Sequence, residues 1–342
     1  MKPLVSILIP AFNAQEWIGD TLRSVIAQTW PSKEIIVVDD GSVDQTFAIA
    51  QRFQSKGVQV VAQKNRGASA ARNRAFSLSK GDYLQWLDAD DLLAPDKIAR
   101  QMQIVSQLQS KRTLISSAWA SFMYKNDRAK FVPTALWRDQ SPAEWLITKM
   151  GQHLFMPDST WLVSRELTEE AGPWDTSLHY DDDGEYFSRV LTKSNGVRFV
   201  PEAKTYYRAS RSSSVSYIGR SDRKMESLFR SIELHISYLC SLEDSQRARS
   251  ACVSYLQTCL IYFFPERPDI IERSERLAKQ LGGRLEAPRL SWKYSWIKAL
   301  FGWGLAKRAK LFLPRVRWSF QRSLSKALLH RDKGRCEAGL QT

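Results

Sequence analysis

The sequence predicts an open α/β fold: a mainly parallel sheet flanked by helices, followed by a helical C-terminal region. Two observations carry this. Over the first hundred residues, short β-branched runs alternate with stretches of helical apolar spacing, the pattern of right-handed βαβ units. The polar clusters Ala11-Phe12-Asn13, Asp39-Asp40-Gly41-Ser42 and Asp88-Ala89-Asp90-Asp91 each follow such a run directly. In parallel sheets that strand end is where ligands bind.

Each element has its own signal. Residues 4–9 read as a buried strand, and Trp17, Ile18, Leu22, Val25 and Ile26 recur at helical spacing. Residues 34–38 form a second strand that ends in the turn-forming Asp39–Ser42 cluster. A helix through Phe47, Ala50 and Phe53 leads to a strand at 58–62, a helix over 68–78 and a strand at 83–87. After the acidic run, Leu92–Asp96 reads as a turn into a helix starting at Pro95. Beyond Arg100 the spacing predicts hairpin strands within 117–132, a strand at 158–164, a helix over 181–193 and a short strand at 197–200. Residues 221–281 read as wholly helical. The division expected is a catalytic domain over 1–220 (halves 1–110 and 111–220), a helical region over 221–287 and a tail over 288–342.

A hydrophobic fraction of 43% in 342 residues is that of a globular chain with a sizeable core. The four cysteines show no C-x-x-C spacing, which argues against a zinc site or a secreted disulfide framework and fits a reducing compartment. The apolar N-terminal stretch breaks at Pro10, too short for a signal peptide, and no apolar run approaches a membrane span. The net charge of +14 suggests a nucleic-acid binder until it is located. Residues 289–335 hold 13 Lys and Arg against one acid, so they carry +12 of it. The basicity belongs to the tail.

The acidic run is the first candidate site. Asp88, Asp90 and Asp91 repel one another, and a divalent cation removes that cost. All-oxygen ligands suit Mg²⁺ or Mn²⁺, which take further ligands from water and phosphates. Read alone, the run is a solvated acidic turn that caps the next helix.

Four ordered segments change its meaning. Val5–Asn13, Glu34–Ser42, Asn65-Arg66-Gly67 through Ala71-Arg72-Asn73, and Leu87–Asp91 resemble family 2 glycosyltransferases in order and spacing. The resemblance is tight over the first hundred residues and looser to about Arg211. It implies a GT-A-type nucleotide-sugar-binding fold and a nucleotide-diphosphate-sugar donor, with a UDP-sugar favoured. Pro10, Phe12 and Asn13 match the strand end that cradles base and ribose. Asp40, with Asp39 beside it, matches the carboxylate that accepts from the base edge. Arg72 and Asn73 match the helix near the diphosphate. Asp88 and Asp90 match the D-x-D pair, with Asp90 the metal ligand and Asp88 nearer the ribose or sugar. Asp91 is left to a supporting or helix-capping role.

For an inverting transfer the acceptor hydroxyl needs a carboxylate to take its proton. The family places an aspartate for this at the opening of a helix in the acceptor half, and counting back from Arg189 puts Asp183 there, with Asp182 where glutamate is usual. Asp183, Phe187, Val190 and Leu191 also share one helical stripe, so Asp183 opens the inward face. The plainer reading is that Asp181–Asp183 complement a helix N-terminus. Arg208 and Arg211 resemble a loop that closes over the donor. Trp161 and Trp174 are either sugar-stacking surfaces or core.

The tail interleaves its basic residues with Trp292, Trp296, Phe301, Trp303 and other aromatics, a composition suited to the surface of an anionic membrane. A packed helical hairpin and a nucleic-acid patch are the alternatives. The expectation is therefore an inverting, metal-dependent transferase that uses a nucleotide sugar and a glycan or lipid-linked acceptor. It would build cell-surface polysaccharide or glycolipid, bind no nucleic acid, and sit in the cytoplasm, peripheral to the inner membrane face. The alternatives are a non-catalytic sugar-nucleotide-binding protein tethered to membrane and a metal-dependent nucleotidyltransferase. A dinucleotide-binding dehydrogenase is excluded, because Pro10-Ala11-Phe12-Asn13 replaces the glycine-rich turn.

Overall fold

The computed structural model describes residues 2–127, 129–209, 221–294, 296–297, 299–307 and 309–310. In chain order its elements begin with β1 (Val5–Ala11), α1 (Ile18–Ile26), β2 (Lys33–Asp39), α2 (Thr46–Gln51), β3 (Val58–Ala62), α3 (Ala68–Leu78) and β4 (Tyr83–Trp86). There follow β5 (Leu92–Leu93), α4 (Lys97–Val105), β6 (Thr113–Phe122), β7 (Lys130–Phe131), α5 (Pro142–Gln152), β8 (Val163–Ser164) and α6 (Arg165–Ala171). The chain continues with α7 (Asp182–Lys193), β9 (Gly196–Arg208), α8 (Asp222–Leu242), α9 (Gln246–Phe263) and α10 (Pro268–Gln280).

The first sheet has the order β3-β2-β1-β4-β8, parallel except for β8. Its strands are apolar on both faces because helices cover both. Leu8, Ile36, Val38, Leu84 and Trp86 face one core, which also takes in Phe229, Leu256 and Phe263 of the C-terminal helices. Ile7, Ile9, Ile35 and Val37 alternate into the other, against Ile18, Leu22 and Val25 of α1. The parallel strand ends put Asn13, Asp39-Asp40 and Asp88 on one edge of the sheet.

A second sheet, β5-β9-β6-β7, lies beyond that edge. Leu92 pairs with Tyr206, so the acidic run is the bridge between the two sheets. This bridging role was outside the sequence reading, which saw residues 92–96 only as a turn.

Four elements differ from expectation for identifiable reasons. The strand expected at 197–200 runs to Arg208: between Val200 and Lys204 the register with β6 jumps, so Pro201 sits in a bulge where its missing N–H costs no ladder bond. The strand expected at 158–164 begins instead as a 3-10 turn over Asp158–Thr160, closed by the Thr160 hydroxyl donating to the Pro157 carbonyl at 2.6 Å; pairing starts at Leu162, which bridges Ile115, and continues in Val163–Ser164 on β4. Residues 221–281 form three helices. Ser245 caps the second by accepting from Ala248 N, and Pro268 opens the third. The helix expected from Pro95 starts at Lys97, with Asp96 as its N-cap, so Asp91 does not cap it.

Residues 292–310 are helical where described. Ile297 and Ala306 are buried, and the Lys307 ammonium donates to the Tyr262 and Phe264 carbonyls at 3.1 and 2.9 Å. Trp292, Trp296, Leu300, Phe301 and Leu305 face outward, Trp292 with 80% of its surface exposed. Among the described residues no helix is long and apolar enough to cross a membrane.

Candidate active site

The site is organised by one buried cation. Arg72, on α3, donates to Asp88 at 2.8 Å, to Asp158 at 3.2 Å and to Asp182 at 3.0 Å. Its guanidinium lies 4.4 Å above the Trp174 ring. Burial alone would lower its pKa, but the Asp88, Asp182 and Asp158 charges outweigh that and raise it. Arg72 thus stays charged and ties the acidic run to α7. Ser69, one turn earlier on α3, adds a 3.0 Å bond to Asp182.

Asn73 is used next to it. Its amide donates to the Trp174 carbonyl at 2.9 Å and accepts from the Trp174 N–H at 2.8 Å, fixing the ring beneath Arg72. Both ends of Asn73 are committed to that backbone. Trp174 stacks on Tyr186 at 4.0 Å and Trp161 on Phe187 at 5.4 Å, both indoles buried in the core. Neither offers a surface for sugar.

The acidic run is held from both sides. Asp91 is buried and accepts from Arg208 N at 2.8 Å; burial, then the neighbouring Asp90 and Asp88 charges, push its pKa well above the usual carboxylate range. The Arg208 side chain is enclosed between Trp17 and Phe122, at 4.4 and 4.3 Å from their rings, and its Nε donates to the Asp90 carbonyl at 2.6 Å. Its grip is on the backbone of the run. The signal missed in the sequence was Trp17 and Phe122, whose rings select a flat cation. Arg211 lies outside the described residues. The Asp88 carboxylate remains 39% exposed, and Asp90 is buried beside it.

At the end of β2 the two aspartates part roles. Asp40 accepts from Gln63 Nε2 at 2.7 Å, Arg66 N at 2.9 Å and Gly67 N at 2.8 Å, so its carboxylate shapes the loop that leads into α3. Asp39 accepts from Ser42 N at 3.0 Å through Oδ2, while its buried Oδ1 has no hydrogen-bond partner among the described residues. Gly41 makes the turn directly after them at φ +74°, and a Cβ there would meet Asn65 N at 2.8 Å. Pro10 is buried in β1, Phe12 is exposed, and Asn13 accepts from Val43 N at 3.0 Å to brace the neighbouring turn.

Asp183 opens α7 with Phe187, Val190 and Leu191 buried along its stripe. Its Oδ1 accepts from Gly184 N at 2.9 Å. Burial first, then the Asp182 and Asp181 charges, push its pKa up to about 7, with Arg72 opposing. Asp183 lines a cleft with Lys149, Phe155, Asp181 and Gly184, floored by Trp145 and Trp161. Asp158 went unrecognised in the sequence, because an isolated Asp after Pro157 carries no motif. It is buried, and its pKa is raised well above normal by burial and then by Asp88, with Arg72 holding it down.

The comparisons with known proteins bear on this geometry. The glycosyl transferase family 2 model matches residues 6–170. A UDP-Glc:alpha-D-GlcNAc-diphosphoundecaprenol beta-1,3-glucosyltransferase, WfaP of Escherichia coli, is 30% identical over 210 residues, covering 60% of this chain and 77% of WfaP. The chain belongs to glycosyl transferase family 2. An uncharacterized glycosyltransferase of Rickettsia typhi is 31% identical over 195 residues, 57% of this chain; the match spans 60% of that relative's length. Among solved structures, S. aureus TarS 1-349 in complex with UDP aligns with a TM-score of 0.60 at 16% identity, over 87% of this chain and 79% of that one. The fold of this family 2 chain is therefore the GT-A type, a mainly parallel sheet with a helical C-terminal region. The matched segment 6–170 contains Arg72, Asp88 and Asp158, whereas Asp182 and Asp183 lie beyond it.

Proposed function

We propose that this chain is an inverting glycosyltransferase that moves a sugar from a nucleotide-diphosphate sugar, with UDP as the favoured nucleotide, to an acceptor hydroxyl in surface polysaccharide or glycolipid synthesis. The observation that supports it most is the Arg72 bridge: one guanidinium binds Asp88 of the acidic run and Asp182, the neighbour of Asp183. Donor-side and acceptor-side carboxylates are thereby held on a single charge.

In this reading Asp39 Oδ1, an unsatisfied buried acceptor, takes the N–H of the base edge. Phe12 and Pro10 flank the base, and Asp88 faces the ribose or sugar. Among the described residues no three His, Cys, Asp or Glu side chains form a metal site. The donor set nevertheless suits a hard cation: Asp90 and Asp88 would hold Mg²⁺ or Mn²⁺ through carboxylate oxygens. Bound there, the ion would offset charge on the leaving diphosphate.

The acceptor oxygen forms a bond to the anomeric carbon as the bond from that carbon to the diphosphate breaks, with inversion. Asp183 takes the hydroxyl proton, and a carboxyl poised near neutrality suits that task. Asp182 accepts from Arg72 and Ser69, and so holds the helix opening in place. The basic aromatic segment 289–335 lies on an anionic membrane surface, with the outward face of residues 292–305 toward lipid. That would keep the enzyme at the inner membrane face, beside a lipid-linked acceptor.

The test is release of nucleoside diphosphate from a panel of UDP-, GDP- and dTDP-sugars, with and without EDTA, against lipid-diphosphate and simple glycoside acceptors. Acceptor-stimulated release from a UDP-sugar is expected. Tight UDP binding with no release under any condition would favour a non-catalytic binding protein.

A further inference from the structure

The residue that opens α7 does not fill its position in the usual way. Asp181 is the N-cap, in the left-handed region at φ +58°, and its carboxylate makes no capping hydrogen bond. An aspartate there ordinarily accepts from the first-turn N–H groups. A left-handed backbone in a residue other than glycine persists only where contacts hold it. Those contacts come from α8. Ser231 Oγ donates to Asp181 Oδ2 at 2.6 Å and lies 3.4 Å from the Asp181 carbonyl oxygen, and His235 Nε2 stands 3.8 Å from Oδ2. The carboxylate rests against Gly184, where a Cβ would overlap it.

His235 is fully buried, and the Tyr255 hydroxyl of α9 lies 3.2 Å from its Nδ1. With that hydroxyl donating, the proton of a neutral imidazole sits on Nε2, the nitrogen that meets Asp181. Nε2 has no hydrogen-bond partner among the described residues, so it acts on the carboxylate as a dipole. Burial, then the Lys149 charge, push the His235 pKa well below its ordinary value, and the ring stays neutral. A cation in its place would cancel the Asp181 charge, whereas a neutral N–H leaves that charge standing. The charged groups that act on Asp181 and Asp183 are Arg72 from α3, Asp88 from the acidic run, Lys149 from α5, and Asp182 and Glu185 on α7 itself. Tyr180, Tyr255 and Cys259 also face Asp181, and burial raises the pKa of each, so they add no charge.

We propose that Ser231 and His235 are positioning residues for Asp183: from α8 they hold the Asp181 carboxylate against the opening of α7, so that the helical C-terminal region completes the base. Asp182 is tied to α3 through Arg72 and Ser69, and Asp181 is tied to α8. Asp183 therefore follows two residues that are each anchored on a different helix. Ser231, His235 and Tyr255 all lie outside the segment 6–170 that the family model matches. Held in place, the Asp181 charge joins burial and the Asp182 charge in raising the Asp183 pKa. Once released, it would no longer do so, and the proton acceptor would be both displaced and less basic. The role in transfer rests on the transferase reading; the hold on Asp181 does not.

The test is an NMR titration of the full chain labelled with carbon-13 at aspartate Cγ, with the Asp183 signal identified by its loss in Asp183→Asn. The pH profile of transfer and UDP calorimetry run beside it. In Ser231→Ala and His235→Ala the Asp183 midpoint should move down by about half a pH unit or more, and the acid limb of kcat should move with it. At pH 8 kcat should fall about tenfold, with UDP binding and the donor KM those of the parent. Gly184→Ala removes no polar group but displaces the Asp181 carboxylate, and should repeat the shift. His235→Gln, which presents a neutral N–H, should return the midpoint toward that of the parent. Ser231→Ala removes a single hydroxyl, so it carries the test if a thermal melt shows that His235→Ala does not fold. A midpoint that stays or rises in Ser231→Ala and Gly184→Ala, or a lower melting temperature with no change in midpoint, would overturn the positioning role. A lowered midpoint in a protein whose parent transfers no sugar would instead sink the transferase reading and leave the hold on Asp181 standing.

Discussion

The Arg72 guanidinium donates to the Asp182 carboxylate across 3.0 Å, joining the helix behind the third strand to the helix that carries the proposed base. Because the same cation also binds Asp88 and the buried Asp158, its removal leaves three carboxylates without their shared counter-charge. Arg72→Ala should therefore cost about 3–5 kcal/mol in urea unfolding and abolish UDP binding. Arg72→Lys keeps the charge but not the fork, and should fall between the two. An Arg72→Ala protein as stable as its parent would remove Arg72 from the centre of the site.

Asp39 and Asp40 should separate cleanly. Asp39→Asn replaces the proposed base acceptor and should weaken UDP binding about tenfold or more with little change in melting temperature. Asp40→Asn leaves donors from Gln63, Arg66 and Gly67 poorly matched. It should lower the melting temperature by a few degrees, at about 2–4 °C per kcal/mol. The reverse pattern would reassign the base contact to Asp40.

Protonation of Asp183 gives a pH signature. Its pKa of about 7 means that transfer should fall as pH drops through 7, because the proton acceptor is lost. The sign for stability is opposite to that of an ion-paired carboxylate. The folded pKa lies above the unfolded one, so the native state binds more protons between about pH 4 and 7, and stability declines as pH rises through that window. Asp183→Asn should thus lose transfer, keep donor binding, and unfold at the same or higher temperature than the parent at pH 8. A variant with normal transfer would disprove the base assignment.

Chelation should reduce donor affinity rather than fold stability. With EDTA, UDP-sugar binding measured by calorimetry should weaken at least tenfold (about 1.4 kcal/mol) and return with Mn²⁺. Asp90→Asn should abolish that response, while Asp88→Asn also frees Arg72 and should lower stability as well. Binding that ignores both EDTA and Asp90→Asn would point to a metal-independent site.

For the tail, liposome flotation separates lipid contact from simple packing. Full-length protein should float with anionic vesicles and a 1–287 truncation should not. Trp296→Ser with Phe301→Ser should weaken flotation, because both face outward, whereas Lys307→Gln should mainly reduce stability, because that ammonium is buried against the Tyr262 and Phe264 carbonyls. Equal flotation of the full chain and the truncation would end the membrane reading.

What could be read from the sequence was local. The runs around Ile7, Val37 and Leu84 are apolar on both faces because parallel strands are covered twice, and β-branched density announces that without any partner being known. The polar residues at Asn13, Asp39 and Asp88 come within a few residues of the ends of those runs, so their shared edge was legible too. Elements governed by side-chain competition were not. Asp158–Thr160 left the strand pattern for a 3-10 turn, and Pro201 hid the second half of β9 inside a bulge.

The acidic run, a turn with three repelling charges when read alone, gained its meaning from contacts the chain makes at long range. Arg72 reaches Asp158 across 86 residues and Asp182 across 110, and Arg208 reaches Asp90 across 118. By itself the sequence determined the fold class and the candidate carboxylates, because periodicity and turn chemistry act over a few residues. Only the tertiary structure decided that Arg208 faces inward, that Asp40 is consumed by its own loop, and that one oxygen of Asp39 has no partner among the described residues. Those outcomes depend on which partner wins each donor, and that is settled when distant segments pack and water leaves.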